Sequence, residues 1–150
     1  MSHDPEHVAR AAAKRMYATD HAARSLGIHV IDVGPGRSVL GMTVRSTMVN
    51  GHDIGHGGMT FTLADTAMAY ACNSYNQISV AHTTQITFLA PTYAGDVLRA
   101  TASETAVRGR TGIYDVRVQN QKGETVAVFR GQTQNLKGKL VEDLPITREI

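Results

Sequence analysis

Across Met59–Cys72 the chain carries one charged residue, Asp65, in a run rich in Ala, Met, Leu and Thr. A segment that is apolar almost all round forms a buried helix, because no face of it suits water. The spacing predicts this helix over about Gly58 to Asn73. It is entered through a loop crowded with Asn50, Gly51, Gly55, Gly57 and Gly58. After Gln77 the period changes to two. Ile78–Val80 and Ile86–Phe88 bracket one long strand, bent near Ala81-His82 and ending by Pro91. Asp96–Val107, Thr111–Asn120 and Glu124–Leu136 alternate in the same way, with Lys122-Gly123 as a hairpin turn. Upstream, Ile28–Val33 and Ser38–Thr47 flank Gly34-Pro35-Gly36 as a further hairpin. Pro5–Tyr17 reads as a helix, and Asp20 caps a short second one that ends at Gly27. One buried helix among six strands implies an α+β fold with the sheet wrapped around that helix.

The 150 residues are divided here into a helical segment (1–26), one main domain (27–136) and a polar tail (137–150), which is expected to fray. Lys and Arg number 15 against 13 Asp and Glu, and there is no Trp. Such a balance offers neither the basic face nor the stacking platform of a nucleic-acid binder. Cys72 is the single cysteine, so no internal disulfide is possible. Thr66–Gly95 lacks Asp, Glu, Lys and Arg, but Asn73–Gln77 and His82–Gln85 break it well short of the ~20 apolar residues of a membrane span. Met1–Arg15 has no apolar targeting core, so a cytoplasmic location with no membrane partner is expected.

Asp65 is the sharpest candidate for chemistry. A carboxylate beside Phe61, Thr62, Met68 and Ala69 is costly to bury unless it is paired or useful. It either faces a solvent gap or serves as a general base or nucleophile. Gly55-His56-Gly57-Gly58 precedes the same helix, and free amides at a helix start donate to an oxyanion. Eight residues of helix place Asp65 about 12 Å from Gly57, too far to act on one carbonyl within one subunit. His52 and His56 have metal-ligand spacing on a helix, but the surrounding glycines make a loop, and no metal is expected. Cys72 reads as a core thiol. No G-x-S-x-G elbow, P-loop or G-x-G-x-x-G is present.

Asn50-Gly51-His52, His56-Gly57-Gly58, Phe61, Leu63-Ala64-Asp65 and Ala71-Cys72-Asn73-Ser74 resemble the signature of the hotdog-fold acyl-CoA thioesterases of the phenylacetic-acid-degradation (PaaI) type. Phe88-Leu89-x-Pro91, Ala94-Gly95-Asp96, Gly112-Ile113-Tyr114-Asp115 and Val128-Phe129-Arg130-Gly131 extend the resemblance over about 27–136. It implies a long central helix wrapped by a curved antiparallel sheet, with an N-terminal helical extension on this chain. It also implies dimers or tetramers and an aryl-acetyl or similar acyl-CoA substrate, with no cofactor beyond the coenzyme A of that substrate. Asp65 matches the catalytic carboxylate and Gly57 the amide that polarises the carbonyl. Asn50 matches the side chain that holds substrate or water, and His56 the histidine beside the amide. Gly58, Phe61, Thr83 and Thr84 are candidate substrate contacts. Ala81 stands where related enzymes place a serine or threonine. Arg108, Arg110 and Thr111 are expected either to meet coenzyme A phosphates or to form a solvated turn. A non-catalytic acyl-CoA-binding module and a hotdog hydratase or dehydratase are the rival readings.

Overall fold

The computed structural model describes residues 4–148. Its elements run α1 (Pro5–Thr19), α2 (His21–Ser25), β1 (His29–Gly34), β2 (Arg37–Thr43), α3 (Gly57–Cys72), β3 (Ser79–Phe88), β4 (Val97–Arg108), β5 (Thr111–Gln119) and β6 (Thr125–Asn135). The strands form one sheet in the order β1-β2-β4-β5-β6-β3, every neighbour antiparallel. This is the hotdog arrangement. Helix α3 packs against all six strands. A single helix reaches so many strands only because the sheet curls around it. Register shifts at Val30/Asp32, Ala81/Thr83 and Glu104/Ala106 supply local bends.

The composition of α3 explains the close wrap. Ala64, Ala67 and Ala71 are fully buried and let strands approach the helix backbone. The Ser38 hydroxyl, on β2, donates to the Ala67 carbonyl at 2.6 Å. Leu63 and Met68 fill the space between, each worth about 1.5–3 kcal/mol of burial. A Cβ at Gly131 would run into the Met68 sulfur, so β6 needs glycine there for close approach. Helix α1 starts as expected, with Pro5 in its first turn and the Asp4 side chain accepting from Glu6 N–H. Arg37 grips both Glu6 and Asp32, tying α1 to the first hairpin.

Two expectations need correction. Strand β2 stops at Thr43, not Thr47, because Ser46–Met48 coil into a 3-10 turn closed by Met48 N–H to the Arg45 carbonyl. The tail does not fray over residues 137–148. The Asn76 side chain, fully buried, donates to the Val141, Leu144 and Pro145 carbonyls and accepts from the Leu140 and Val141 N–H groups. Arg148 then lies 3.5 Å over the Tyr75 ring and pairs with Glu104, which also accepts from the Tyr75 and Tyr114 hydroxyls.

Candidate active site

The loop into α3 is held by its own backbone. Gly55 N–H donates to the Thr92 carbonyl and His56 N–H to that of Met48, both at 2.7 Å. The Asn50 side-chain oxygen accepts from the N–H groups of His52 (2.8 Å) and Ile54 (3.2 Å). Asn50 thus shapes the loop with its oxygen, and only its amide nitrogen is available to a substrate or water. His56 caps α3: Nδ1 accepts from Gly58 N–H at 2.9 Å, which fixes the tautomer with the proton on Nε2. Met59 N–H returns to the His56 carbonyl. The Gly57 N–H finds no acceptor among the described residues at this helix start, where the partial positive charge concentrates. That is the amide the resemblance singles out.

Asp65 sits two turns on, half-buried, between Phe61 and Met68 on one helical stripe. Phe61 meets Phe129 of β6 edge-on at 5.5 Å, so Phe61 is a wall of the core on this side. Asp65 has no hydrogen-bond or ion-pair partner among the described residues. Burial without a partner raises its pKa above the ordinary carboxylate value. The contrast with Asp115 is direct: there the Arg130 guanidinium binds the carboxylate and lowers its pKa. Cys72 is a core thiol, pushed up to about 11 chiefly by burial.

Not every expected contact converges on this site. Thr84 lies on the helix side of β3 with Ile86 and Phe88, whose ring reaches Gly57. Thr83 must then face the other way, and its hydroxyl points to Gln132 at 3.5 Å. Arg108, Arg110 and Thr111 lie at the β4–β5 turn, where both arginines are exposed. Phe88 shares a row with Ala127 and Val118, and from Val118 to Thr111 is about 23 Å of strand. This turn therefore lies at the end of the sheet away from Gly57. His52 is exposed in the loop, and no group of three His, Cys, Asp or Glu able to hold a metal comes together among the described residues.

Two residues beside Gly57, Phe88 and Thr60, are not among the expected site residues. Phe88 remains 53% exposed, and a Cβ on Gly57 would stand 2.9 Å from its ring. Thr60, one turn beyond Gly57, is buried. With Ile54, Leu89, Pro91 and Val126 they border a cavity of about 350 Å³. The Phe88–Gly57 contact joins residues distant in sequence, so no local pattern marks it. Thr60 offers a usable signal: it lies three residues from Gly57, on the same helical face.

Residues 52–127 match the family model of the thioesterase superfamily. The chain belongs to that superfamily. This hotdog thioesterase is 46% identical to the acyl-coenzyme A thioesterase PaaI of Escherichia coli K12, over 89% of this chain and 96% of that one. It is 30% identical to a putative esterase of Archaeoglobus fulgidus, over 88% and 83% of the two chains. The solved structure of the E. coli PaaI protein superposes with a TM-score of 0.89 at 45% identity, covering 91% of this thioesterase and 99% of that chain. A variant of the PaaI protein from Thermus thermophilus gives 0.74 at 33% identity, over 77% and 98%.

Proposed function

We propose that the protein hydrolyses an aryl-acetyl or similar acyl-coenzyme A thioester to the free acid and coenzyme A, in the cytoplasm and without a metal or other cofactor. The observation that carries this reading is the pair on α3: an unpartnered Gly57 N–H at the helix start and an unpartnered, half-buried Asp65 two turns in. The amide polarises the thioester carbonyl and meets the negative charge that develops on its oxygen. Asp65 removes a proton from water as the water attacks, and the proton passes to the departing coenzyme A thiolate; or Asp65 attacks the carbonyl itself, the thiolate leaves, and water then cleaves the acyl-aspartyl anhydride to release the acid and restore the carboxylate. The likeness to the E. coli acyl-coenzyme A thioesterase supports the substrate class.

About 12 Å of helix separates the two groups within one subunit. A second copy closes the gap. Strand β3 is a ten-residue edge strand, exposed along nearly its whole length, with no Pro, Lys, Arg, Asp or Glu to blunt it. Antiparallel pairing of two β3 strands sets each subunit's Gly57 end beside the other's far end. That brings a second copy's Asp65 toward the amide and its Arg108–Arg110 turn toward the substrate's phosphates. The assembly is a dimer or a tetramer built from it.

Thiol release from a panel of acyl-coenzyme A thioesters, with sedimentation in parallel, tests this. Release of free thiol by a species no smaller than a dimer is expected. Binding without thiol release would leave only a binding module, and a fully active monomer would overturn the shared site.

A further inference from the structure

Helix α1 lies along β1, and both ends of the contact are fixed. At one end the Tyr17 hydroxyl donates to the Ile28 carbonyl at 2.7 Å. At the other, Arg37, opposite Gly34 in the β1–β2 hairpin, holds both Glu6 and Asp32. From Glu6 to Tyr17 is about 16 Å of helix, and from Ile28 to Asp32 about 13 Å of strand. The two elements therefore run antiparallel, side by side, over similar lengths. Between them lies a groove of about 420 Å³ whose lining takes in every residue from His29 to Val33. Successive side chains of a strand point to opposite faces, so a groove that touches all of them follows the strand's edge.

That edge is open. Strand β1 ends the sheet on the side opposite β3, so pairing of two β3 strands leaves it free. Among the described residues, no backbone bond from outside the β1–β2 ladder reaches Val30–Val33. The helix side supplies charge. Arg10 and Lys14 are exposed on α1, one turn apart, and line the groove with Ala13 and Tyr17. Neither has an ion-pair partner among the described residues. Asp32, the acidic side chain of the wall, is already held by Arg37. The His29 ring turns away, over Gly41 on β2.

We propose that this groove docks an extended acidic segment of a partner protein, laid along β1 with two carboxylates on Arg10 and Lys14. The spacing fits. Arg10 and Lys14 stand about 6 Å apart along the helix axis, and alternate side chains on one face of an extended chain are about 6.6 Å apart. A segment with Glu or Asp at positions i and i+2 meets both cations while its backbone bonds to the free edge. A second copy of this chain is the poorer occupant, because two β1 edges brought together would set two cationic rims against each other. The register shift between Val30 and Asp32 interrupts the edge, so backbone pairing is short and the charges decide affinity. The groove lies at the opposite edge of the sheet from Phe88 and Gly57, and the proposal does not depend on the hydrolase reading.

The test titrates the whole protein with short capped peptides of Val and Thr. One carries two Glu at alternate positions, a second carries them adjacent, and a third has Lys in place of Glu. Calorimetry reads affinity, and hydrogen exchange read by mass spectrometry locates the contact. The alternating peptide should bind saturably, more tightly than the adjacent one, and slow exchange in β1; the Lys peptide should not bind. Arg10→Ala with Lys14→Ala should weaken binding about tenfold or more, and raised salt should weaken it in the wild type. Arg10→Lys should retain most of it. Both side chains are exposed, so each variant should melt as the wild type does. Equal affinity for all three peptides, binding that survives loss of both charges, protection confined to other elements, or no binding at about 1 mM peptide would overturn the proposal. Binding to vesicles of anionic lipid, with none to the alternating peptide, would overturn it in favour of a membrane surface.

Discussion

Replacing Asp65 with Asn separates chemistry from folding, because the structure gives the carboxylate no partner to lose. The amide has nearly the same size and remains polar. A general base contributes about 10²–10⁴-fold to a rate. At 1.36 kcal/mol per decade that is roughly 2.7–5.4 kcal/mol of transition-state stabilisation. KM should change little, since the Gly57 amide and any phosphate contacts are untouched. Stability should hold or rise, because a desolvated charge is removed and no hydrogen bond goes with it. The pH dependence follows from the same burial. The folded state holds the Asp65 proton more tightly than the unfolded chain does. Asp65 therefore favours folding most at low pH, and its contribution falls as pH rises from the unfolded pKa, about 3.9, through the raised folded value. Activity runs the other way: kcat/KM rises as the carboxylate ionises, with a midpoint above that of an ordinary aspartate. The measurements are thiol release against pH and a melting curve for Asp65→Asn. A variant that melts normally, keeps kcat within threefold and retains the wild-type midpoint would place the base elsewhere.

Gly57→Ala puts a methyl 2.9 Å from the Phe88 ring, well inside a normal carbon contact. The exposed ring should yield, so melting should move by no more than a few degrees while kcat/KM drops about tenfold or more; normal kinetics would show that the ring does not line the site. Asn76→Ala strands up to five hydrogen-bond partners in the tail and forces alanine to φ 65°; a loss of about 3–5 kcal/mol and rapid proteolysis within 137–148 are expected, and a protease-resistant variant would refute the pinning. Arg108→Ala with Arg110→Ala should raise KM for acyl-coenzyme A more than it lowers kcat, an effect that shrinks in high salt; an unchanged KM returns the pair to a solvated turn. Chelation should leave activity intact, and loss restored by zinc would revive His52 and His56 as ligands.

Local chemistry is legible in the sequence; contacts made across the chain are not. The Asp20 cap, the bend at Ala81-His82 and the turn at Gly123, with φ 78°, all follow from neighbouring residues. Asp65 stands out because one charge on an apolar helix needs no partner to be noticed. The order of the tail depends on Asn76, a side chain more than sixty positions away, so 137–148 read as merely polar. Thr83 and Thr84 cannot be told apart until the bulge in β3 sets which of them faces the helix. The distance of Arg108 and Arg110 from Gly57 requires the strand register. Thr60 looks like any helical threonine until the fold closes the cavity that it borders.

The place of β3 in the sheet also sets a schedule for the nascent chain. Its mate is β6, which pairs Ser79 with Asn135, roughly 56 residues further on. At about 5–20 residues per second the ribosome needs roughly 3–11 s to make up that interval. Throughout it α3 is already complete and β3 has neither edge satisfied. A ten-residue strand without charge or proline, waiting beside an apolar helix, is a window for association with neighbouring nascent chains or for chaperone capture. Codon choice between β3 and β6 should therefore influence soluble yield more than the same changes placed in α1.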